Sequence, residues 1–463
     1  MSRESPYPGV AQRAVDRLII QVKGDVFLPG DPGYEAELSG FNQIVRHRPA
    51  VVVAATCAED VAAAVSFARD QGLAVGVQAT GHGSVAPAER AVMISTRWMH
   101  TVSVDPEART AQVEAGALWH QVVAAAAFHG LAPLNGSSPQ VGVVGYTLGG
   151  GLGPLGRQYG YAADHVTRIQ IVTADGIHRT VTPERDSDLF WAVRGGKGNF
   201  GIVTALEFRL MPVRRLYGGG IYFPGERAAS LIRTWWEWAG TVPESMTSSL
   251  ALLRLPDAPT VPAYLRDRLA VHLRIAFTGP ADEGERLVRP LRAVGAALAD
   301  TVGDMPYSAV AEIHQDPTEP QPYHERNIVL REFDDEAIDA LLAAAGPGSA
   351  CADPMVELRH LGGALSRPPV LPNAVGNRDG ALTLSTLSRP GSADCVLGPL
   401  ARWSTGRRYL NFLAGPDTAY AVADCYDQGT YARLRQVKEQ TDPLNLFRLG
   451  HALLPDRSTE GRA

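Results

Sequence analysis

The chain has 463 residues, of which 45% are hydrophobic and 20% are charged, and its formal net charge is −6. This composition is typical of a globular protein, and the length suffices for two or three domains. A weakly acidic chain without a long basic run is a poor candidate for binding nucleic acid or an anionic membrane, so we expect a small-molecule partner.

Membrane and secretion signals are missing from the sequence pattern. The longest apolar patch near the start is the short run at 18–20, and nothing later approaches about eighteen apolar residues, so we expect neither a signal peptide nor a transmembrane span. Cys57, Cys351, Cys395 and Cys425 are widely separated, and no CxxC or HExxH pattern indicates a metal site. We therefore expect free thiols in a cytoplasmic protein without a metal.

Alternating strand and helix signals mark the first part of the chain. Residues 49–55, PAVVVAA, predict a buried strand. A helix is predicted to follow, because Thr56 and Glu59 have the capping-box spacing and Gly72 lies where the helix should end. Residues 74–78 then predict a second buried strand.

His82 follows this second strand, between Gly81 and Gly83 in the segment VQATGHGSVAP. Small residues let the backbone approach a ligand closely, and His82 is the reactive side chain of the segment. Ligand-facing groups of α/β proteins usually lie at strand ends. The pattern therefore predicts a ligand contact at His82.

The later elements divide the chain into three predicted parts. Up to residue 210 we predict strand 110–116, helix 117–130, a hairpin at Asp175-Gly176, helix 188–196 and strand 200–210. From 211 to 400, strand-like segments 219–223, 248–255, 269–277, 327–333 and 355–361 alternate with helical segments 226–240, 283–295 and 336–346. In 401–463 we predict a strand at 407–415 and a helix from 431 that Pro443 ends. This pattern predicts an α+β protein with one domain at 1–210 and a second, a sheet covered by helices, at 211–400.

The stretch 135–153, NGSSPQVGVVGYTLGGGLG, holds too many glycines for the interior of a strand or helix. Its backbone amides suit an anion such as a pyrophosphate, although a purely structural loop with tight turns fits equally well. Gly151, Gly153 and Gly156 match the dinucleotide pattern GxGxxG. We reject a nicotinamide site here, because Pro154 interrupts the helix start and no buried strand leads into the glycines.

Several ordered segments carry a family resemblance: 27–42, 49–83, 141–160, 188–210, 356–365, 409–412 and 431–453. Together they resemble the flavin-linked oxidases of the berberine bridge enzyme family, whose FAD domain is of the vanillyl alcohol oxidase and p-cresol methylhydroxylase type. The resemblance covers nearly the whole chain. It implies an FAD-binding domain in 1–210, a substrate-binding domain with an antiparallel sheet in 211–400, and a closing segment, 401–463, that returns to the FAD domain.

The resemblance also implies which residues contact the cofactor. The loop around His82 is expected to bind the FAD pyrophosphate through backbone amides, with the histidine itself bonded to the isoalloxazine ring. The loop residues concerned are Ala79, Thr80, Gly81, Gly83 and Ser84. Further residues implied to line FAD are Ser138, Val141, Gly142, Gly145, Thr147, Gly149, Gly150, Gly151, Gly153, Asn199, Gly201 and Val203.

Two departures from the family pattern bear on the attachment. Many members carry a second link through a cysteine in G-x-C-P-x-V-G, and Ser138 stands in the place of that cysteine. The resemblance thus implies a single link, through His82. Gln78, Ala79 and Thr80 stand where R-G-G is frequent, which leaves noncovalent FAD as an alternative.

The middle part of the chain is expected to supply the substrate face. Glu357 and Arg359 share one face of the predicted strand 355–361, because side chains repeat with a period of two. By themselves they fit either a catalytic pair or an ion-paired strand face, whereas the resemblance implies that they face the flavin. It also implies a tyrosine base or donor at Tyr409, which shares a face of its predicted strand with Asn411 and needs a cation such as Arg359 beside it.

These expectations combine into an FAD-dependent oxidase. Glu357 or Tyr409 removes a proton from a small organic substrate, for example one from secondary metabolism, while hydride passes to FAD and dioxygen reoxidises it. One alternative is a flavin oxygenase acting on a polyketide-like or other biosynthetic intermediate. A second alternative is a non-catalytic flavin-binding scaffold.

Overall fold

Residues 11–453 are described by the computed structural model, and their strands form three sheets. The first sheet contains β1 (Asp25–Phe27), β2 (Val51–Ala54), β3 (Val75–Gln78) and β4 (Val92–Ser95), in the order β1-β2-β4-β3. Strands β2 and β3 run parallel to β4, and β1 is antiparallel to β2. This sheet is accompanied by helices α1 (Gln12–Gln21), α2 (Tyr34–Leu38) and α3 (Ala58–Asp70).

The second sheet is antiparallel and has five strands. Its strands are β5 (Val102–Asp105), β6 (Thr110–Glu114), β7 (Val166–Val172), β8 (His178–Val181) and β9 (Ile202–Arg209), in the order β5-β6-β9-β7-β8. The predicted hairpin is present, because Asp175 and Gly176 lie between β7 and β8 and Gly176 has φ +78°. The helices of this region are α4 (Trp119–Ala127), α5 (Val143–Leu148), α6 (Gly156–Tyr159) and α7 (Ser187–Gly196).

The third sheet is antiparallel, has eight strands and is built from residues 215–388. Its strands are β10 (Arg215–Pro224), β11 (Met246–Leu255), β12 (Arg268–Phe277), β13 (Ala299–Asp300), β14 (Gly303–Pro306), β15 (His324–Leu330), β16 (Met355–His360) and β17 (Leu382–Ser388). The order is β13-β10-β12-β11-β16-β17-β15, and β14 pairs with β10. Helices α8 (Ala228–Ala239), α9 (Ala281–Arg292) and α10 (Asp335–Ala345) pack with this sheet.

The two faces of the large sheet differ in polarity. Leu250, Leu358 and Leu384 point to the face covered by helices and belong to its apolar core. Glu357 and Arg359, on the same strand as Leu358, point to the opposite face because side chains alternate along a strand. The large sheet therefore presents a polar face to the rest of the molecule.

The final helix, α11 (Gln428–Thr441), returns to the first half of the chain and packs on α7. Its buried Lys438 donates hydrogen bonds from Nζ to the carbonyl oxygens of Asn199, at 2.8 Å, and Phe447, at 2.9 Å, and pairs with Asp442 at 2.5 Å. This buried ammonium fixes the closing segment against the loop that contains Asn199.

Most predicted elements are present, and the α+β class is confirmed. The limits of the predicted domains remain predictions. Within residues 11–453, no helix combines the length and the apolar character that a bilayer crossing requires.

Two local predictions are wrong. The capping box of Thr56 with Glu59 does not form, because Asp60 accepts hydrogen bonds from both the backbone N–H and the hydroxyl of Thr56, each at 2.9 Å. The predicted strand at 407–415 is instead a short 3₁₀ turn at Leu410–Phe412. A strand was also missed at Leu382–Ser388, where leucines are interspersed with serines and threonines.

Candidate functional site

A cavity of about 410 Å³ lies between the loops of the two smaller sheets and the polar face of the large sheet. Its wall is formed by residues within 75–88, 136–148, 197–203, 316–325, 355–359 and 447–451. Segments that are far apart in the chain therefore meet at the cavity. Its wall includes residues predicted to contact FAD and residues predicted to face the substrate.

His82 lies in the loop after β3 and lines this cavity. Its ring stacks on Phe41 with the centroids 4.0 Å apart and the planes at 11°. Its Nδ1 lies 2.9 Å from the Thr80 hydroxyl, and its backbone carbonyl accepts a 3.0 Å hydrogen bond from the Tyr323 hydroxyl. The imidazole is thus oriented by Phe41 and Thr80, and the backbone of the loop is held by Tyr323.

The loop can take this path because Gly81 carries no side chain. Gly81 has φ +70°, and a Cβ there would lie 2.7 Å from the Cα of Gly40. Both the left-handed conformation and the close backbone approach favour glycine. The glycine before the histidine therefore positions the loop, whether or not its amide also contacts a ligand.

The His82 ring is electrically neutral at ordinary pH. Burial lowers the pKa of His82 to about 4, because the charged imidazolium loses its hydration. Its Nε2 is buried and has no hydrogen-bond partner among residues 11–453. A buried polar atom without a hydrogen-bond partner destabilises the folded protein unless a ligand interacts with it. Nε2 is therefore available to a bound molecule.

Most residues implied to contact the cofactor meet at this cavity. The wall includes the whole loop from Ala79 to Ser84, together with Ser138, Val141, Gly142, Gly145, Asn199, Gly201 and Val203. Gly145, in helix α5, has open space where its Cβ would be. The backbone of α5 therefore forms the cavity wall directly.

Thr147, Gly149, Gly150, Gly151 and Gly153 do not line the cavity, in contrast to the sequence prediction. The glycines serve close packing instead. A Cβ at Gly153 would lie 1.8 Å from the carbonyl oxygen of Asn135, and one at Gly151 would lie 2.6 Å from the Tyr146 ring.

On the opposite wall, Glu357 lies between two arginines of the large sheet. Arg359 donates a 2.8 Å hydrogen bond from Nε to Glu357, and Arg274 pairs with the other carboxylate oxygen. Burial alone would raise the pKa of Glu357, but the two guanidiniums outweigh it and hold the pKa below its usual value. Glu357 is therefore a fixed anion that orients Arg359, and it is a weak proton acceptor.

Glu325 is a second carboxylate on this wall, and the sequence analysis did not single it out. Burial raises the pKa of Glu325 to about 8, Glu357 and Asp316 add to the shift, and Arg359 and Lys197 oppose it. In the described part of the chain its carboxylate makes no hydrogen bond or ion pair. Glu325 therefore combines access to the cavity with a pKa near physiological pH.

Glu325 was missed because the predicted strand began at 327, three residues after the observed start. The observed strand β15 starts at His324, so Glu325 lies on the same face as Asn327 by the period of two. The alternation of Glu325, Asn327 and Val329 was therefore the available signal. Lys197, another missed residue of the wall, is half-buried, and desolvation lowers its pKa to about 8.

Asn411 and Tyr409 do not share a strand face, contrary to prediction. Asn411 lines the cavity and donates a 2.8 Å hydrogen bond from Nδ2 to the carbonyl of Tyr146. Tyr409 lies outside the cavity wall, stacked on Tyr161 with the centroids 6.0 Å apart. Burial raises the pKa of Tyr409 well above its usual value, which makes this phenol an unsuitable base.

Comparison with known proteins agrees with this geometry. Residues 49–182 match the family model described as an FAD binding domain. The chain is 28% identical to (R)-6-hydroxynicotine oxidase of Paenarthrobacter nicotinovorans, over 95% of this chain and 98% of that protein. The chain is thus similar to flavoproteins of the vanillyl alcohol oxidase/p-cresol methylhydroxylase type. This flavoprotein is an FAD-linked oxidoreductase.

Solved structures show the same fold as the flavoprotein. Xylooligosaccharide oxidase from Myceliophthora thermophila, in complex with xylobiose, has a TM-score of 0.80 at 22% identity, covering 96% of this chain and 100% of that one. The BBE-like 1 protein of Physcomitrella patens has a TM-score of 0.80 at 19% identity, with the same coverage of 96% and 100%. At these identities the likeness establishes the architecture.

The residues of the flavoprotein's cavity fit FAD. His82 offers an unpartnered Nε2, Gly145 leaves open space beside α5, and the loop Ala79–Ser84 presents backbone along the wall. A flavin needs an apolar slot with a few convergent polar groups, and the cavity wall supplies both kinds of residue. The composition of the wall is therefore consistent with the family's cofactor.

Replacing Gly145 with leucine is expected to weaken FAD binding without unfolding the flavoprotein. The new side chain would enter the open space beside α5, where overpacking costs roughly 1–3 kcal/mol, or about 5- to 150-fold in affinity. The measurement is an FAD titration followed by flavin fluorescence. Gly398→Leu is the matched control, since Gly398 is exposed, has no neighbour near its Cβ position and lies outside the cavity. Equal affinity in the two variants would show that FAD does not lie against α5.

Proposed function

We propose that the protein is an FAD-dependent oxidase whose cofactor is bonded through His82 and whose substrate is a small organic alcohol or amine. One observation supports this most strongly: the unpartnered Nε2 of His82 and the carboxylate of Glu325 line one cavity. When bound, FAD accepts a hydride from the substrate and passes its electrons to dioxygen. Alcohol and amine substrates are both represented among the relatives, whose names include a xylooligosaccharide oxidase and a 6-hydroxynicotine oxidase.

In this proposal Glu325 is the base. A general base works best when its pKa lies near the operating pH and it reaches the substrate, and Glu325 meets both conditions better than Glu357 or Tyr409. Glu357 is neutralised by two arginines, and Tyr409 lies outside the cavity wall. The carboxylate of Glu325 then takes the hydroxyl or amine proton of the substrate as its C–H bond is broken.

Arg359 is proposed to hold the substrate. Its guanidinium is fixed by Glu357 on one side and lies 4.8 Å above the Phe412 ring on the other. A guanidinium held in place can donate hydrogen bonds to a substrate oxygen without losing much conformational freedom. Asn411 lies on the same wall and adds an amide.

A single covalent tether is part of the proposal. Ser138 lines the cavity, and none of the described wall residues is a cysteine. A serine hydroxyl is a much weaker nucleophile than a thiolate and is not expected to replace the missing thioether.

We also place the protein in the cytoplasm, because its four cysteines all carry free thiols.

The experiment that tests the proposed function is a screen for anaerobic bleaching of the flavin. The screen covers sugars, amines, alcohols and polyketide-type compounds of secondary metabolism, and loss of the oxidised absorption band marks a substrate. A reaction under ¹⁸O₂ then separates the two chemistries. Label found only in hydrogen peroxide supports an oxidase, label in the organic product supports the oxygenase alternative, and failure of every class to bleach the flavin contradicts both.

Tyr409→Phe is expected to retain catalysis. The hydroxyl lies in the core, outside the cavity wall, so kcat/KM should stay within about tenfold of wild type and the free energy of unfolding within about 1 kcal/mol. Steady-state kinetics and thermal unfolding measure the two quantities. A loss of kcat of a hundredfold or more at unchanged stability would return Tyr409 to the list of candidate bases.

A further inference from the structure

A second cluster of ligating side chains lies away from the cavity, where the loop before β16 meets the loop after β17. It contains Cys351, Asp353 and Cys395. One ligand atom of each residue, two thiol sulfurs and a carboxylate oxygen, lies within 4.8 Å of the other two. None of the three lines the proposed active site.

Asp353 is the residue that points to a ligand. Its side chain is 3% exposed, and its Oδ2 has no hydrogen-bond partner within residues 11–453. The neighbouring Ser388 hydroxyl is buried and has no partner either. Native proteins rarely bury unpaired carboxylate oxygens, because the lost hydration costs free energy, so the cluster lacks a component that carries positive charge.

Nearby side chains do not supply that charge fully. Arg326 and Arg254 are the positively charged groups that act on Asp353 through space. Arg326 is already paired with Asp417, and Arg254 donates to the carbonyl oxygens of residues 345 and 346. Each guanidinium keeps a buried Nη1 without a partner, and among the described residues neither guanidinium makes a hydrogen bond or ion pair with Asp353.

We propose that Cys351, Asp353 and Cys395 bind a thiophilic divalent cation, with Zn²⁺ as the best match. Zinc prefers sulfur, nitrogen and carboxylate ligands in a tetrahedral arrangement, and three protein ligands with one water form a common set. The two thiols release their protons as the cation binds, and Asp353 contributes its existing charge. Cys395 is exposed, so the site has an entrance from solvent.

Sequence spacing could not show this site. Strands β16 and β17 lie between Cys351 and Cys395 in the chain, and no short motif joins the two cysteines. A bound cation would connect the start of β16 to the loop after β17. These adjacent strands carry Glu357 and Ser385, so the cation would stabilise the ends of two inner strands next to the active site without taking part in the reaction.

The test uses the FAD-loaded protein, prepared under reducing conditions and freed of metal by chelation. ZnCl₂ is titrated by competition with a chromophoric chelator, and alkylation of Cys395 is followed by mass spectrometry with ZnCl₂ or MgCl₂. We expect one Zn²⁺ per chain and protection of Cys395 by zinc, while magnesium, a hard cation, gives none. Cys395→Ser and Asp353→Asn should each weaken zinc binding by at least about tenfold, the loss that even outer partners of a metal cause.

Cys57→Ser is the matched control, because Cys57 is partly exposed but lies outside the cluster. It should bind zinc as tightly as wild type. Equal affinity in wild type and Cys395→Ser would overturn the proposal, as would alkylation of Cys395 that zinc does not slow. A disulfide between Cys351 and Cys395 that persists under the reducing preparation would overturn it as well.

Discussion

His82→Ala is expected to abolish every acid-stable attachment of flavin to the protein. In wild type, acid precipitation should leave the yellow colour in the pellet, whereas in the variant the colour should move entirely to the supernatant. The physical reason is that His82 presents a neutral ring with an unpartnered Nε2 to the cavity, and no cysteine among the described wall residues offers a second bond. The measurement is flavin absorbance in the two fractions.

His451→Gln serves as the control for this experiment. His451 also lines the cavity, but its Nε2 is already engaged, 2.8 Å from the carbonyl oxygen of Leu413. The variant should therefore keep its flavin in the pellet. Colour that stays with the His82→Ala pellet would place the link on another residue, and a wild-type protein that releases all its flavin would support the noncovalent alternative.

Glu325→Gln is expected to lower kcat/KM by about 10²- to 10⁴-fold, the usual contribution of a general base. Below a pH of about 8 the Glu325 carboxyl is mostly protonated, so wild-type kcat/KM should rise as the pH increases through that value. The variant has no carboxylate to form, and this limb of its pH profile should disappear. Stopped-flow reduction of the flavin across the pH range measures both effects.

Asp316→Asn is a useful comparison for the Glu325→Gln experiment. Asp316 is another carboxylate of the cavity wall, and its charge adds to the upward shift in the pKa of Glu325. The Asp316→Asn variant should keep most of the wild-type kcat/KM. The pH at which kcat/KM rises should be lower than in wild type. A Glu325→Gln enzyme that keeps both its rate and its pH limb would exclude Glu325 as the base.

Strand and helix positions could be predicted where the signal is local. Residues 49–55 and 74–78 contain the observed β2 and β3, and the Asp175-Gly176 pair marked a real hairpin. These features depend on hydrophobic runs and on turn residues that act within a few positions of the chain. The capping box of Thr56 was wrong because Asp60, one residue beyond Glu59, accepts the hydrogen bonds instead.

The glycine-rich stretch shows how one composition serves two purposes. Gly142 and Gly145 line the cavity, whereas Gly151 and Gly153 make room for Tyr146 and Asn135. A glycine in the sequence indicates only that a side chain is not tolerated. Whether a ligand or another part of the protein occupies the space depends on segments distant in the chain.

The fold class, the ordered family motifs and the loop that presents His82 could be predicted from the chain alone, because they depend on local periodicity, small residues and recognisable spacing. The choice of Glu325 over Glu357 as the proposed base depends on contacts between distant parts of the chain. Glu357 is neutralised by Arg274, which lies on another strand 83 positions away, whereas Glu325 faces the cavity with a raised pKa. A pKa depends on burial and on neighbouring charges in space, and long-range packing alone determines both.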